Sequence, residues 1–337
     1  MATTVSKVRW GVLGTARIAT RKVIPAMQRG TWSQVVAIAS RDVQRGHDTA
    51  RALGIDRSYG SYEELLADPE VDAIYNPLPN HLHVPWTVRA ADAGKHVLCE
   101  KPIALDAVEA QLLVAVRERT GVLIQEAFMV RSHPQWIAAA DLVRSGRIGA
   151  LRLFAGFFSY YNDDPANIRN LTDYGGGGLM DIGCYLVHVS RMLFEREPFR
   201  VAALMERDPA MHVDRLTSMM LDYGGAQAIG TCSTQLVPYQ RIQLLGTRGR
   251  IEIPVPFNAP PDQPTRIFVD DGADVAGSGV ETLEFGTCDQ YTLQGDQFSR
   301  AIIDGRSAPY SLEDSVQNMR VIDALVRAAA EGAWVEL

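Results

Sequence analysis

The sequence predicts an α/β domain built on a parallel sheet, followed by an α+β domain of mostly antiparallel strands, within 337 residues. Three observations carry this. Up to about Ala127, short β-branched apolar runs alternate with helical stretches. The first of those runs passes straight into a glycine turn and a helix. After Ala127, strand candidates follow one another with turn signals between them.

The strands of the first part are Val8–Leu13, Val35–Ala39, Ala73–Tyr75, His96–Cys99 and Val122–Gln125. Helical stretches lie between them at Asp42–Leu53, Tyr62–Ala67, Val84–Ala93 and Ala107–Arg119. In the last, Val108, Leu112, Ala115 and Val116 recur at helical spacing. Gly54, Gly94 and Gly121 stand where helices stop. The alternation implies βαβ units with right-handed crossovers.

The second part opens with a helix at Pro134–Ser145 and a strand at Leu151–Tyr160. A glycine-rich loop and helix follow at Gly175–Leu193, then strands at Arg200–Met205, Leu216–Tyr223, Ala226–Thr234 and Arg241–Gly246. Tyr223-Gly224-Gly225 and Gly246-Thr247-Arg248-Gly249 read as hairpin turns. Pro254–Pro264 holds five prolines and reads as a loop or sheet edge. A final helix is expected at Leu312–Glu331. The expected domains are 1–127 and 128–337, with the helix at 312–331 a candidate to return toward the first.

Composition narrows the function classes. Hydrophobic residues make up 47% and charged residues 22%, with 28 Gly and 17 Pro, the balance of a globular protein rather than a disordered or collagen-like one. A net charge of −7 argues against nucleic-acid binding, which needs a basic footprint. No apolar stretch reaches the length of a membrane span, and Met1–Trp10 lacks a signal-peptide core. Cys99, Cys184, Cys232 and Cys288 are far apart and read as reduced thiols, so the cytoplasm is the expected location.

The first strand runs into Gly14-Thr15-Ala16-Arg17-Ile18-Ala19, a dinucleotide fingerprint with Ala16 in place of the second glycine. Gly14 permits the tight turn, a small residue at 16 admits a pyrophosphate, and the helix N-terminus offers amides to the anion. Gly14, Thr15, Ala16, Arg17 and Ile18 are therefore candidate cofactor contacts. The second strand ends in Ser40-Arg41, where a hydroxyl and a guanidinium suit a 2′-phosphate. This favours NADP, and the adjacent Asp42 leaves NAD as the alternative. Pro77, Leu78, Asn80 and His83 follow the strand at Ala73–Tyr75, and Glu100 follows His96–Cys99, at the carboxyl edge where open α/β sheets bind ligands. His81 and His83 lack partner ligands, so no metal site is expected. Asp181, Tyr185 and His188 share one stripe of a helix, just after Gly175–Gly178. Glu126, Arg131, Tyr160, Tyr161 and Arg169 are further cleft candidates.

Several of these segments together resemble the glucose–fructose oxidoreductase / inositol dehydrogenase / MocA family. They are Gly11-Val12-Leu13-Gly14, the stretch Tyr75–His83, Glu100-Lys101-Pro102, and Gly175–Gly178 with Leu179-Met180-Asp181-Ile182-Gly183-Cys184-Tyr185. Gly295-Asp296-Gln297-Phe298 through Asp304-Gly305 extends the likeness over nearly the whole chain. The resemblance implies a Rossmann domain followed by an α+β domain with a large, open, mostly antiparallel sheet that often forms a dimer interface. It implies that Lys101 and Tyr185 are catalytic, with Tyr185 the proton donor or acceptor; Asp181, His188, Arg169 and Tyr160 are the expected substrate contacts. The implied activity is NADP(H)-dependent hydride transfer at a CH–OH group of a sugar or cyclic polyol, with an aldose oxidised at C1 the first choice. Keto-sugar reduction, trans-dihydrodiol oxidation and a non-catalytic NADP-binding sensor are the alternatives. A homo-oligomer, dimer or tetramer, is expected, with no nucleic-acid or membrane partner.

Overall fold

A computed structural model describes residues 7–337. The chain divides into two compact units, Met1–Met129 with Asp289–Val316, and Val130–Cys288 with Gln317–Leu337.

The first unit is a six-stranded parallel sheet. Its strands are β1 (Val8–Leu13), β2 (Ser33–Ala39), β3 (Arg57–Tyr59), β4 (Ala73–Asn76), β5 (His96–Cys99) and β6 (Ile124–Glu126), in the order β3-β2-β1-β4-β5-β6. The order reverses between β1 and β4, which is where doubly wound sheets bind their ligands. The helices are α1 (Ile24–Gln28), α2 (Val43–Leu53), α3 (Tyr62–Leu66), α4 (His83–Asp92) and α5 (Ala107–Thr120). Their ends are chemically marked. Asp42, Ser61 and Asp106 cap the starts of α2, α3 and α5, and Gly54 and Gly121 take left-handed conformations at the ends of α2 and α5.

α8 (Gln290–Ile303) joins this unit although it lies far along the chain. Sequence reading placed the cut after residue 127 and let only the helix at 312–331 return toward the first domain, so α8 was assigned to the second. The difference has a packing cause. Phe298 sits 5.7 Å from the fully buried Trp10 ring, and Trp10 Nε1 donates to Ser299 Oγ at 3.0 Å. Asp296 accepts from the amides of Thr31 and Trp32 at 2.7 and 2.9 Å. Burying two such aromatic side chains contributes several kcal/mol, about 2–3 each.

The second unit holds α6 (Pro134–Arg144), α7 (Cys184–Phe194) and a nine-stranded sheet. Its strands are β7 (Leu151–Tyr161), β8 (Arg200–Arg207), β9 (Asp214–Asp222), β10 (Gln227–Ser233), β11 (Gln235–Gly246), β12 (Arg250–Ile253), β13 (Thr265–Asp270), β14 (Val280–Phe285) and β15 (Val335–Glu336). The order is β14-β13-β12-β11-β7-β10-β9-β8-β15, antiparallel throughout except for β7 with β10. In that pair Gly156 stands opposite Gly230. A Cβ on either would run into Leu186 of α7, so the two glycines form the groove in which that helix is seated. On the other face of the sheet Phe157, Leu204, Met220 and Ile229 are exposed. The last helix, α9, spans Leu312–Glu331. Among the described residues no helix is long and apolar enough to cross a membrane.

Candidate active site

The first unit supplies the glycine turn that sequence reading marked as the candidate phosphate site. Gly14 sits at φ +79°, and a side chain there would press on Leu78 Cδ2 at 3.2 Å. The helical turn begins at once, with the Thr20 amide donating to Ala16 O at 3.0 Å, so the amides just before Thr20 precede the ladder. The turn at Ala19–Val23 is π-helical, and the Ile24 amide reaches back to Ala19 O. Pro25 explains the wide turn, because it has no N–H to give to Arg21.

Ser40 is buried at the end of β2, and its hydroxyl accepts from the Asp42 amide at 3.2 Å. Arg41 is exposed. The Asp42 carboxylate is engaged as the α2 cap, accepting from the Arg45 amide at 3.0 Å. A carboxylate tied to its own helix is a poorer ribose ligand than a free one, so the edge fits a 2′-phosphate better than a bare 2′-hydroxyl.

At the ends of β4 and β5 two loops are stapled together. Asn76, fully buried, donates from Nδ2 to His83 O and Thr87 Oγ1 at 3.1 and 3.2 Å and accepts from the Leu78 amide at 3.3 Å. His83 is buried, with Nε2 2.7 Å from Leu78 O and Nδ1 2.7 Å from Pro102 O. Burial, with the charges of Lys101 and His81 adding, pushes the His83 pKa down to about 4, against the pull of the two carbonyls. The ring therefore straps the Pro77–Leu78 loop to the Lys101-Pro102 loop from behind. Both its nitrogens face protein carbonyls, which places it as a support rather than a cofactor contact or metal ligand. The Lys101-Pro102 peptide is cis. Glu100 accepts from Tyr75 Oη at 2.7 Å, and the buried Glu126 accepts from the Ile103 amide at 2.9 Å. Lys101 is half-buried, Asn80 and His81 likewise, and Arg17 is exposed.

The second unit brings together three of the sequence candidates. Asp181 accepts from Tyr160 Oη at 2.5 Å and pairs with Arg169 Nε at 3.0 Å. Burial, the Asp181 charge and this hydrogen bond hold the Tyr160 phenol protonated well above its ordinary range. Asp181 lies in a π-helical turn, Leu179–Gly183, that leads into α7. Tyr185 follows, buried, with its ring 5.8 Å from Phe158 and 5.3 Å from Phe257. Phe158 and Tyr160 are two residues apart on β7, so Asp181 and Tyr185 track one face of that strand. His188, one turn further, is also buried. Phe257 belongs to the proline-rich segment, which is tied to α6 by Trp136 Nε1 donating to Pro256 O at 2.7 Å and Gln135 Nε2 to Val255 O at 3.0 Å.

Two groups escaped the sequence reading. Asp214, buried at the start of β9, accepts from the Leu179 amide at 2.7 Å and from Thr217 Oγ1 at 2.8 Å. Burial raises its pKa above the usual carboxylate range. His133 caps α6, its Nδ1 accepting from the Gln135 amide at 3.1 Å, and its Nε2 lies 3.5 Å from Cys288 Sγ. Neither sits in a motif. Among the described residues no group of three His, Cys, Asp or Glu side chains could hold a metal ion.

Residues 8–128 match the model of an oxidoreductase family with an NAD-binding Rossmann fold, and residues 136–252 match the GFO/IDH/MocA C-terminal domain. The chain is 40% identical to a D-xylose 1-dehydrogenase (NADP(+)) of Haloferax volcanii over 97% of its length and 99% of the relative. A 3-ketoreductase from Actinomadura kijaniata, solved with NADP and TDP-benzene, superposes with a TM-score of 0.88 at 31% identity, covering 96% of this chain and 98% of that one. An aldose-aldose oxidoreductase from Caulobacter crescentus gives a TM-score of 0.88 at 28% identity, covering 98% and 100%. The strand order, the fingerprint turn and the full-length likeness agree: the chain belongs to the GFO/IDH/MocA family of oxidoreductases.

Proposed function

We propose that the protein is an NADP(H)-dependent oxidoreductase that moves hydride between nicotinamide and a sugar or cyclic polyol, with an aldose oxidised at C1 its first substrate. The observation that carries this is the likeness to the xylose dehydrogenase along 97% of the chain. Ser40, Arg41 and the committed Asp42 cap support NADP over NAD.

Gly14 to Ile18 would hold the pyrophosphate, Ser40 and Arg41 the 2′-phosphate, and the loops at Pro77–Asn80 and Glu100-Lys101 the nicotinamide half. When bound, the cofactor supplies the hydride acceptor or donor. The protein's share is proton and charge control. In the oxidative direction Tyr185, as its phenolate, takes the hydroxyl proton of the substrate as a general base and becomes the neutral phenol. The Lys101 ammonium lowers the cost of the phenolate and of the charge developing on the substrate oxygen. Arg169 and Tyr160, fixed on Asp181, present a guanidinium and a phenol to substrate hydroxyls, and His188 lies next along the helix.

The test is a fluorescence titration with NADPH and NADH followed by a sugar panel. Lys101→Ala and Tyr185→Phe are expected to lower kcat at least 100-fold and to change the NADPH Kd by less than about threefold. Turnover that survives both substitutions removes the mechanism. Activity on keto sugars alone selects the reductase reading, which the ketoreductase superposition favours. Activity on a trans-dihydrodiol alone selects that oxidation. No hydride transfer over the whole panel favours a sensor. The exposed face with Phe157 and Leu204 is the expected homodimer surface, and light scattering at the mass of one chain would refute it. A cytoplasmic location completes the reading, in keeping with four free cysteines.

A further inference from the structure

The glycine run before the reaction helix is shaped by its neighbours. Gly176 is pressed on the main chain of Arg169, and the Gly177 amide donates to Arg169 O at 2.8 Å. On the opposite side stands Asp214. A Cβ on Gly177, which sits at φ +116°, would collide with Asp214 Oδ1, and one on Gly178 would lie 3.3 Å from Asp214 Oδ2. The same Oδ2 takes the Leu179 amide, the first of the π-helical turn, and the Thr217 hydroxyl. The loop is thus clamped between the Arg169 backbone and a carboxylate from β9.

The clamp has a direction. Leu179 opens the turn that carries Asp181, and the next turn carries Tyr185. An anion at a helix start binds exposed amides and favours the dipole. Burying a carboxylate is costly, and here it is held by two donors and no ion pair closer than 4 Å is seen for it among the described residues. A buried apolar residue of similar size would lack that cost, but it could not fix an amide in place.

We propose that Asp214 is a positioning residue for the proposed reaction: by holding the Leu179 amide and filling the space left by Gly177 and Gly178, it sets where Asp181 and Tyr185 stand. It touches neither substrate nor cofactor, and it acts through the loop. This rests on the reading of Tyr185 as the acid/base, so the test has one arm that does not need that reading.

Asp214→Asn keeps the size but removes the charge, and its NH2 replaces either the oxygen against Gly177 or the one that takes both the Leu179 amide and the Thr217 hydroxyl. In the full chain, amide hydrogen exchange over residues 179–185 is expected to speed up at least tenfold, with the first unit unchanged. With the best substrate of the panel, kcat is expected to fall at least tenfold, with KM and the NADPH Kd within threefold. Thr217→Val, which removes one of the two donors, should give a smaller fall in the same parameter. Asp214→Glu should not restore the wild-type rate, because the extra methylene displaces the oxygens. Unchanged exchange over 179–185, or kcat within twofold of wild type, overturns the proposal. So does a kcat loss explained wholly by a smaller folded fraction in thermal unfolding. If Tyr185→Phe keeps full turnover, the acid/base reading fails by itself, and the exchange pattern still decides whether Asp214 holds the loop.

Discussion

The loop that carries Lys101 and the glycine loop that leads toward Tyr185 are held by different means. In the first unit the supports lie close in sequence: Asn76 and His83 brace the loop after β4, and His83 reaches the Pro102 carbonyl nineteen residues on. In the second unit the loop has almost no side chains of its own. Four glycines leave it to be gripped by Arg169 from one side and by Asp214, 35 residues beyond Leu179, from the other. A loop braced by its own side chains tolerates a neighbour's loss. A loop of glycines takes its shape from outside, and small intrusions should be costly.

The most severe way to break this contrast is Gly177→Ala. The new methyl would meet both a disfavoured φ of +116° and the Asp214 carboxylate. We expect kcat to fall about 100-fold, the scale of a misplacement near 1 Å at a reacting group. The NADPH Kd should stay within threefold. Comparable kcat before and after would show that the loop bends without moving Tyr185, and the contrast would fail.

The mirror test in the first unit is Arg41→Ala. Arg41 is exposed and belongs to no brace, so its removal should leave the loops alone. The NADPH Kd is expected to rise about tenfold, roughly 1.4 kcal/mol, with the NADH Kd unchanged. Equal losses for the two cofactors would mean that Arg41 supports the fold rather than the 2′-phosphate.

The same contrast governs what the sequence reveals. β1, β2, β4 and β5 are continuous apolar runs because both sheet faces are covered, so they read clearly. β3 has three half-buried residues, and β14 at the sheet edge is largely exposed, so neither shows a hydrophobic period. α8 buries Gln290, Gln294, Gly295 and Ser299 beside Phe298 and Ala301, so small and polar residues interrupt its apolar stripe, although its Gly295–Phe298 stretch was part of the family likeness. Among the candidate site residues, Gly14, Lys101, Asp181 and Tyr185 stand in short local motifs. Asp214 is a single carboxylate whose partners arrive only through the sheet, and no spacing rule points to it.

The finest test compares two buried histidines, one in each unit. Burial pushes both His83 and His133 down to about 4. A base with a folded pKa below its ordinary value of 6.5 binds fewer protons when folded. Its contribution is intact above 6.5 and is lost as pH falls from there toward 4, at up to ~1.4 kcal/mol per pH unit. The hydrogen bonds differ, however. His133 Nδ1 must be unprotonated to accept from the Gln135 amide, so protonation would also break the α6 cap while Nε2–H still faces Cys288 Sγ. His83 faces two carbonyls, and a proton would satisfy the second of them. Urea unfolding between pH 7 and pH 5 should still lose less stability in both His133→Asn and His83→Asn than in wild type, by about 1–2 kcal/mol each, because both rings are held to about 4 with the carbonyl pair already acting on His83. A much smaller flattening in His83→Asn would show that the carbonyl pair outweighs burial. The first unit would then depend on a neutral histidine less strictly than the second.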